Sequence, residues 1–197
     1  MTREKIYSLA LRLYNMDYSK IESGTEKELC EEFIETAEEF CINAAQWTFL
    51  MKTHEFTDSE SVEGSFMKLE HGYLLPSDLF TVCFVNGEYN ADFAIKGDEI
   101  FFYDENPTID YITRTIDYEN FPYPMTFAHL LASQLAIKLA PMLCPDIALE
   151  NRIAQQYAIY FSQLSSYNLA NRRKMDPPAR DLIPPHGNNR FHKDNNW

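Results

Sequence analysis

The chain has 197 residues and a mass of 23.0 kDa, enough for one domain or for one domain with a long appendage. Hydrophobic residues make up 45% and aromatic residues 14%, which is typical of a globular protein rather than a disordered one. The 17 Lys and Arg against 30 Asp and Glu give a net charge of −13. This charge argues against a free-standing nucleic-acid reader, because phosphate contacts need Lys and Arg.

Membrane insertion and secretion are also not expected. The sequence has no run of 18 or more apolar residues, and its first 20 residues lack the apolar core and the small-residue cleavage site of a signal peptide. We therefore expect a protein that is made and kept in a cytoplasm, or in a particle assembled there.

Two helices are predicted at the start of the chain, over residues 3–16 and 26–47. Thr25 followed by Glu28 is a capping box at the start of the second helix. Apolar residues recur along it at steps of three and four: Leu29, Phe33, Ala37, Phe40, Ala44 and Trp47. Five glutamates lie on the opposite face: Glu31, Glu32, Glu35, Glu38 and Glu39. We expect this acidic face to point to solvent or to a partner.

In residues 48–119 the spacing of apolar residues changes towards a period of two, and aromatic and β-branched residues become more frequent. The candidate strands are 49–56, 66–69, 79–85, 91–96, 100–104 and 109–117. Lys96-Gly97-Asp98-Glu99 predicts a hairpin turn with Gly97 at positive φ, and Asn86-Gly87 predicts a second turn of this kind. The region therefore predicts a small antiparallel sheet inserted between helices.

Helices are predicted again at 125–143 and 147–170. Pro141 falls in the last turn of the first and should kink or fray it. The second carries a packing seam: Ile153, Tyr157, Tyr160, Leu164 and Tyr167. The predicted fold class is mainly α (α+β), a four-helix bundle with a small inserted antiparallel sheet and an extended C-terminal arm. Its four segments are a helical hairpin (1–48), the β region (49–119), a second helical hairpin (120–170) and the arm (171–197).

The arm differs from the body in charge and composition. Residues 1–120 hold 9 basic and 25 acidic residues, whereas residues 171–197 hold six basic and three acidic ones together with four prolines. Such a segment orders only when a partner supplies a surface. The residues predicted to bind that partner are Arg172, Arg173, Lys174, Arg180, Leu182, Ile183, Arg190, Phe191 and Trp197. The alternative is a disordered tail without a role.

Catalytic and cofactor motifs are not found in the sequence. It contains no C-x-x-C, H-E-x-x-H, Glu-x-x-His, Walker A, G-x-G-x-x-G or G-x-S-x-G pattern. The cysteines, Cys30, Cys41, Cys83 and Cys144, lie among apolar neighbours, which favours reduced, buried thiols. We therefore expect no catalysis, no metal and no cofactor.

One combination of residues and order is similar to a known family. Trp47 and Phe49 close the second helix, Leu75-Pro76-x-Asp78 leads into a strand, and Tyr111-Ile112-x-Arg114 lies in the last strand. Phe121-Pro122 and then Leu135-Ala136-x-x-Leu139-Ala140 follow. Over roughly residues 1–172 this order resembles the head-to-tail connector adaptors of tailed phages, especially the tail tubular protein A family of short-tailed phages. A ring protein of a crAss-like phage is one specific possibility within that resemblance.

The resemblance implies a structural virion protein at the portal–tail junction, assembled in the host cytoplasm. It implies a ring of twelve copies between the portal protein and a tail or nozzle protein, with DNA passing through without sequence-specific binding. Acidic residues would then line the channel, and Glu31, Glu35 and Glu38 are the candidates. Two alternatives stay open: an acidic host-directed inhibitor or DNA mimic, and an unrecognised α+β hydrolase.

Overall fold

The computed structural model describes residues 1–16, 25–57, 60–89, 91–143 and 146–175, with only the backbone described for 172–175. The part of the predicted arm from 176 to 197 lies outside the described residues, as does Cys144. The described helices are α1 (Arg3–Arg12), α2 (Thr25–Asn43), α3 (Met125–Leu143) and α4 (Ile147–Met175). The described strands are β1 (Met51–Glu55), β2 (Ser61–Val62), β3 (His71–Leu74), β4 (Leu79–Val85), β5 (Ala94–Lys96), β6 (Glu99–Phe102) and β7 (Thr108–Thr113).

Helix α3 is the centre of the helical layer, and α1, α2 and α4 pack around it. Its apolar residues face every direction, as expected of a helix with neighbours on all sides, and it begins and ends where the sequence predicts. By length and composition alone it could also cross a membrane, but 61% of its most apolar window is buried inside the protein. That burial is the pattern of a core helix.

Three strands form the middle sheet, in the antiparallel order β1-β7-β4. One face packs against the helices through residues such as Cys83 and Ile112, which belong to the main hydrophobic core. The strand alternation places Ile109 and Tyr111 on the other face, in a second core. The middle sheet therefore separates two hydrophobic cores.

The other four strands form the outer sheet, in the antiparallel order β2-β3-β6-β5. It stacks on the middle sheet and closes the second core, whose buried residues are Phe56, Tyr73, Leu79, Val85, Ile100, Phe102, Ile109 and Tyr111. On its other face Gly72 lies opposite Phe101, and a Cβ added to Gly72 would come within 2.7 Å of the Phe101 ring and of Val62. Gly72 is therefore required by the close approach of that ring.

The predicted fold class is wrong in the weight that it gives to the strands. Over the described residues the fold is an α+β mix with 49% helix and 22% strand, and its two stacked sheets are not a small insertion in a mainly α bundle. The prediction missed β2 and β3, since two residues are too few to show a period and both Gly72 and Tyr73 in β3 are buried. Two sheets that bury a core of their own form a layer, not an appendage.

Both predicted turns are present in the structure. Gly97 has φ +67 between the paired strands β5 and β6, so this hairpin is confirmed. Asn86 and Gly87 have φ +50 and +78 in a tight turn closed by Val85 and Glu88, so the turn is confirmed, but β4 before it pairs with β7 and forms no hairpin with β5. The predicted strand at 66–69 is wrong. It is a tight turn closed by Phe66 and Leu69, with Met67 and Lys68 both at positive φ.

The face that α2 buries also differs from the prediction. Its buried side chains are Cys30, Ile34, Ala37, Glu38, Cys41 and Ile42. This face is rotated by roughly a quarter of a turn from the predicted apolar line, and Phe40 on that line is 48% exposed. Trp47 is fully buried, but beyond the end of the helix, where its Nε1 donates to the Cys41 carbonyl over 2.7 Å.

Helix α4 keeps the predicted seam in part and runs five residues further than predicted. Ile153 and Leu164 are buried as predicted, whereas Tyr167 is 50% exposed and the seam continues through Asn168 instead. Its 29 residues correspond to a rod about 44 Å long. The first four residues of the predicted arm after Asn171 are therefore helical.

Candidate docking groove

The candidate site is an open groove between α2 and the end of the middle sheet where β4 begins and β7 ends. Its volume is about 630 Å³. It is lined by Arg3, Glu35, Glu38, Glu39, Ile42, Asn43, Phe80, Arg114, Thr115 and Ile116. We call this the α2 groove.

Helix and strand geometry bring these residues to one place. Positions 35, 38/39 and 42 of α2 follow one another at steps of three and four, so they share a face. In the middle sheet the pairing of β4 with β7 is irregular between Leu79 and Thr81, and Phe80 at that point is 39% exposed to the groove. The groove therefore has an acidic helical wall and an apolar strand wall.

Arg114 is held at the strand wall by two hydrogen bonds. Its backbone N–H donates to the Asp78 carbonyl over 2.8 Å, and its side-chain Nε donates to the Leu79 carbonyl over 2.9 Å. The side chain is nevertheless exposed at the groove. Arg114 thus places a fixed cation beside Phe80.

The Asp78 carboxylate fixes the strand ends behind Arg114. It accepts hydrogen bonds from Lys52 Nζ (2.6 Å), Tyr111 Oη (2.8 Å) and Thr113 Oγ1 (3.0 Å). Partial burial would raise the pKa of Asp78, but these hydrogen bonds and the Lys52 charge lower it below its usual 3.8. For Tyr111, burial and then the bond to Asp78 raise the pKa to about 12.

Glu38 does not lie on an exposed acidic face, so the prediction that it faces solvent or a channel is wrong. Its side chain is 11% exposed, pairs with Arg3 Nε at 3.2 Å and accepts a 2.7 Å hydrogen bond from Tyr118 Oη. Burial raises the pKa of Glu38, against the lowering effect of Tyr118 and Arg3, and the pKa of Tyr118 is raised by burial and by Glu38. Because α2 buries a different face from the predicted one, Glu38 points into the protein, where Arg3 and Tyr118 supply its partners.

Glu35 and Glu39 form the acidic rim of the α2 groove. Both are exposed, and neither has an ion-pair partner within the described parts of the chain. Together with Arg114 and the apolar Phe80 and Ile116, they can receive a segment that carries a cation, an anion and aliphatic side chains. Across the described residues, no three His, Cys, Asp or Glu side chains come together as metal ligands.

The C-terminal part of α4 contacts a residue that lines a neighbouring cavity. Asn168, only 8% exposed, accepts from the Thr48 N–H (2.7 Å) and donates to the Gln46 carbonyl (2.7 Å). Gln46 in turn lines a second cavity of about 430 Å³ that shares Ile42, Asn43 and Phe80 with the α2 groove. Asn168 was not predicted as a buried residue. Its position four residues after Leu164, one helical turn further along α4, was the available signal.

The other residues predicted as site residues are placed as follows. Glu31 and Glu35 are exposed on α2, and Glu35 alone of the two lines the groove. Arg172, Arg173 and Lys174 fall on the last turn of α4. Six predicted arm residues lie outside the described residues: Arg180, Leu182, Ile183, Arg190, Phe191 and Trp197.

Comparison with known proteins gives no match: no family model matches the chain, and no curated protein is significantly similar to it.

Proposed function

We propose that this chain is a structural virion protein: a head-to-tail adaptor that forms a ring between portal and tail and lines the DNA channel. One observation carries the proposal. Several of the residues on which the resemblance to phage adaptors depends take part in two contact networks, one within the middle sheet and one beside helix α3. They form no catalytic arrangement among the described residues, which supports a structural role.

The first network lies at the edge of the middle sheet. Asp78 of the Leu-Pro-x-Asp pattern bonds to Tyr111, and its carbonyl accepts from Arg114, the last residue of the Tyr-Ile-x-Arg pattern. The two patterns are therefore in direct contact although they are more than 30 residues apart. Together they fix the start of β4 against the end of β7.

The second network is aromatic and lies between helices and sheet. The Phe49 ring is 5.6 Å from Trp47, 6.0 Å from Tyr123 and 5.1 Å from Phe127, measured between ring centroids. Phe121, of the Phe-Pro pattern, packs on Tyr123 at 5.1 Å. These contacts connect the turn after α2, the loop before α3, and α3 itself.

Charge supports the channel part of the proposal. Residues 1–120 carry a net charge of −16, from 9 basic and 25 acidic residues. A channel wall of this sign repels phosphate, so that duplex DNA slides past without being held. Glu31 remains the candidate for the channel wall, whereas Glu35 lines the α2 groove and Glu38 is buried in its ion pair.

The arm is the proposed attachment device. Seven residues of α4 continue past Asn168, a helical extension of about 10 Å that carries Arg172, Arg173 and Lys174. Residues 176–197 follow directly. The arm docks onto the portal or onto a neighbouring adaptor, and its basic residues meet acidic groups there.

Electron cryo-microscopy of the chain mixed with the portal protein of the same phage tests the proposal. We expect a ring of twelve copies beneath the portal. A variant that ends at residue 175 should melt like the full chain, because both cores lie within residues 6–164, yet it should lose portal attachment. A full chain that remains monomeric and unattached beside a properly assembled portal would contradict the proposal.

A further inference from the structure

We propose that the α2 groove binds residues 180–185 from the arm of a neighbouring copy of this chain. This inference rests on the proposed ring and names the partner of the arm within it. Three observations carry it: the shape of the groove, the charges and apolar side chains of the segment, and the point at which α4 stops packing against the rest of the protein.

The shape fits a short extended segment. The groove has a volume of about 630 Å³, which is within the range of sites that enclose small ligands, and it continues into the second cavity beside Gln46. Its strand wall is apolar, since Phe80 is 39% exposed and Ile116 is half-buried. An exposed aromatic ring in a concave surface is a typical anchor position for a partner.

The chemistry of the groove complements that of residues 180–185. The segment reads Arg-Asp-Leu-Ile-Pro-Pro, that is, a cation, an anion, two aliphatic side chains and two prolines. The cation suits the unpaired rim of Glu35 and Glu39, the anion suits Arg114, and the aliphatic pair suits Phe80. Proline keeps the preceding residue extended, so less entropy is lost when the segment is ordered in a groove.

The position of α4 favours a neighbour's groove over the chain's own. Among the α4 residues whose burial is described, Asn168 is the last buried one, and it contacts Gln46, which lines the second cavity. Beyond it, seven helical residues form a stiff spacer of about 10 Å before residue 176. An arm that leaves one copy and enters the next is a head-to-tail contact, and such contacts close into rings.

A charge exchange in the full chain tests the proposal. The groove variant carries Glu35→Arg and Glu39→Arg, and the arm variant carries Arg180→Glu. Alone, each should self-associate at least about tenfold more weakly than the wild-type chain, because groove and arm then have the same sign. Mixed in equal amounts, the two should associate again, since each groove then meets an arm of opposite charge.

Sedimentation velocity and mass photometry over a concentration series provide the measurement, with no portal present. The matched control is Glu63→Arg with Glu70→Arg, which makes the same change of charge at exposed residues outside the groove, and it should associate like the wild-type chain. Phe80→Ser should also weaken association, with a smaller dependence on salt than the charge variants.

Two results would overturn the proposal. One is a mixture of groove and arm variants that associates no better than either variant alone. The other is a wild-type chain that is monomeric at every concentration, which would mean that the arm occupies its own groove or a different protein. Neither result depends on the portal experiment, so a failure here is separate from a failure of the adaptor function.

Discussion

Replacement of Glu38 gives the sharpest test of how the helical layer is held together. Glu38→Ala removes the acceptor of the partly buried Tyr118 hydroxyl and the ion-pair partner of Arg3, and it leaves a hole beside α1. Arg3 is 44% exposed and can be solvated by water, so most of the cost arises from the unsatisfied hydroxyl and the hole. We expect a loss of about 2–4 kcal/mol in the free energy of unfolding.

Glu38→Gln separates the hydrogen bond from the charge. Gln keeps an oxygen for the Tyr118 hydroxyl but gives up the ion pair. Because burying the carboxylate offsets much of the ion-pair energy, we expect this variant to lie within about 1 kcal/mol of the wild type at neutral pH. The matched control is Glu35→Ala, an exposed glutamate one turn earlier on α2, which should change stability by no more than about 0.5 kcal/mol.

The pH dependence follows from the raised pKa of Glu38. Burial makes the folded protein bind this proton more tightly than the unfolded chain does. The contribution of Glu38 is therefore fully present below its ordinary pKa of 4.5 and is lost as the pH rises through the raised value. The stability of the wild type relative to Glu38→Gln should fall over that window.

Thermal and urea unfolding followed by circular dichroism measure all three variants. For a chain of this length, a loss of about 3 kcal/mol corresponds to a fall of about 6–12 °C in Tm. If Glu38→Ala melted together with Glu35→Ala, the buried cluster would not be holding α1 against α2. The description of Glu38 as an inward residue would then be refuted.

Three further predictions concern the sheets and the acidic face. Gly72→Ala should lower stability by about 1–3 kcal/mol in urea unfolding, because its Cβ would meet the Phe101 ring, and Phe101→Leu in the same chain should recover part of the loss. Asp78→Asn should be less stable than the wild type above pH 3.8, and the difference should vanish as the pH falls through the lowered pKa of Asp78 in acid titrations of unfolding. For the proposed channel, Glu31→Lys, which leaves the α2 groove unchanged, should slow genome ejection from particles at low salt and have less effect at high salt; equal ejection rates at low salt would mean that Glu31 points away from DNA.

Features with a strong local cause were predictable from the sequence. Helix α3 is apolar on all sides and begins just after Pro124, and both of its ends are correct. The turns at Asn86-Gly87 and Gly97 need positive φ, which Gly and Asn adopt at low cost, and both are in place. In each case a few neighbouring residues decide the structure.

Features decided by tertiary contacts were missed. The rotation of α2 depends on which face meets α3, and a glutamate can turn inward only because Arg3 and Tyr118, 35 residues before it and 80 after it, reach its carboxylate. Asn168 is buried because the Gln46 carbonyl and the Thr48 N–H happen to need partners there. The periodicity of α2 and α4 carries no information about those distant partners, so the residues that line the groove could not be predicted from the sequence.

The middle sheet is shared by the two hydrophobic cores, and this arrangement decides which part of the protein unfolds first. The outer sheet contributes side chains to the second core and none to the main core, whereas the middle sheet takes part in both cores. The outer sheet can thus detach as a cooperative unit while the helices stay packed, and its amide protons should exchange with solvent at a lower free energy than those of α3. In the proposed ring, the outer sheet of each subunit would then be a compliant layer on a rigid helical frame, and it would absorb strain from a mismatched neighbour before the frame unfolds.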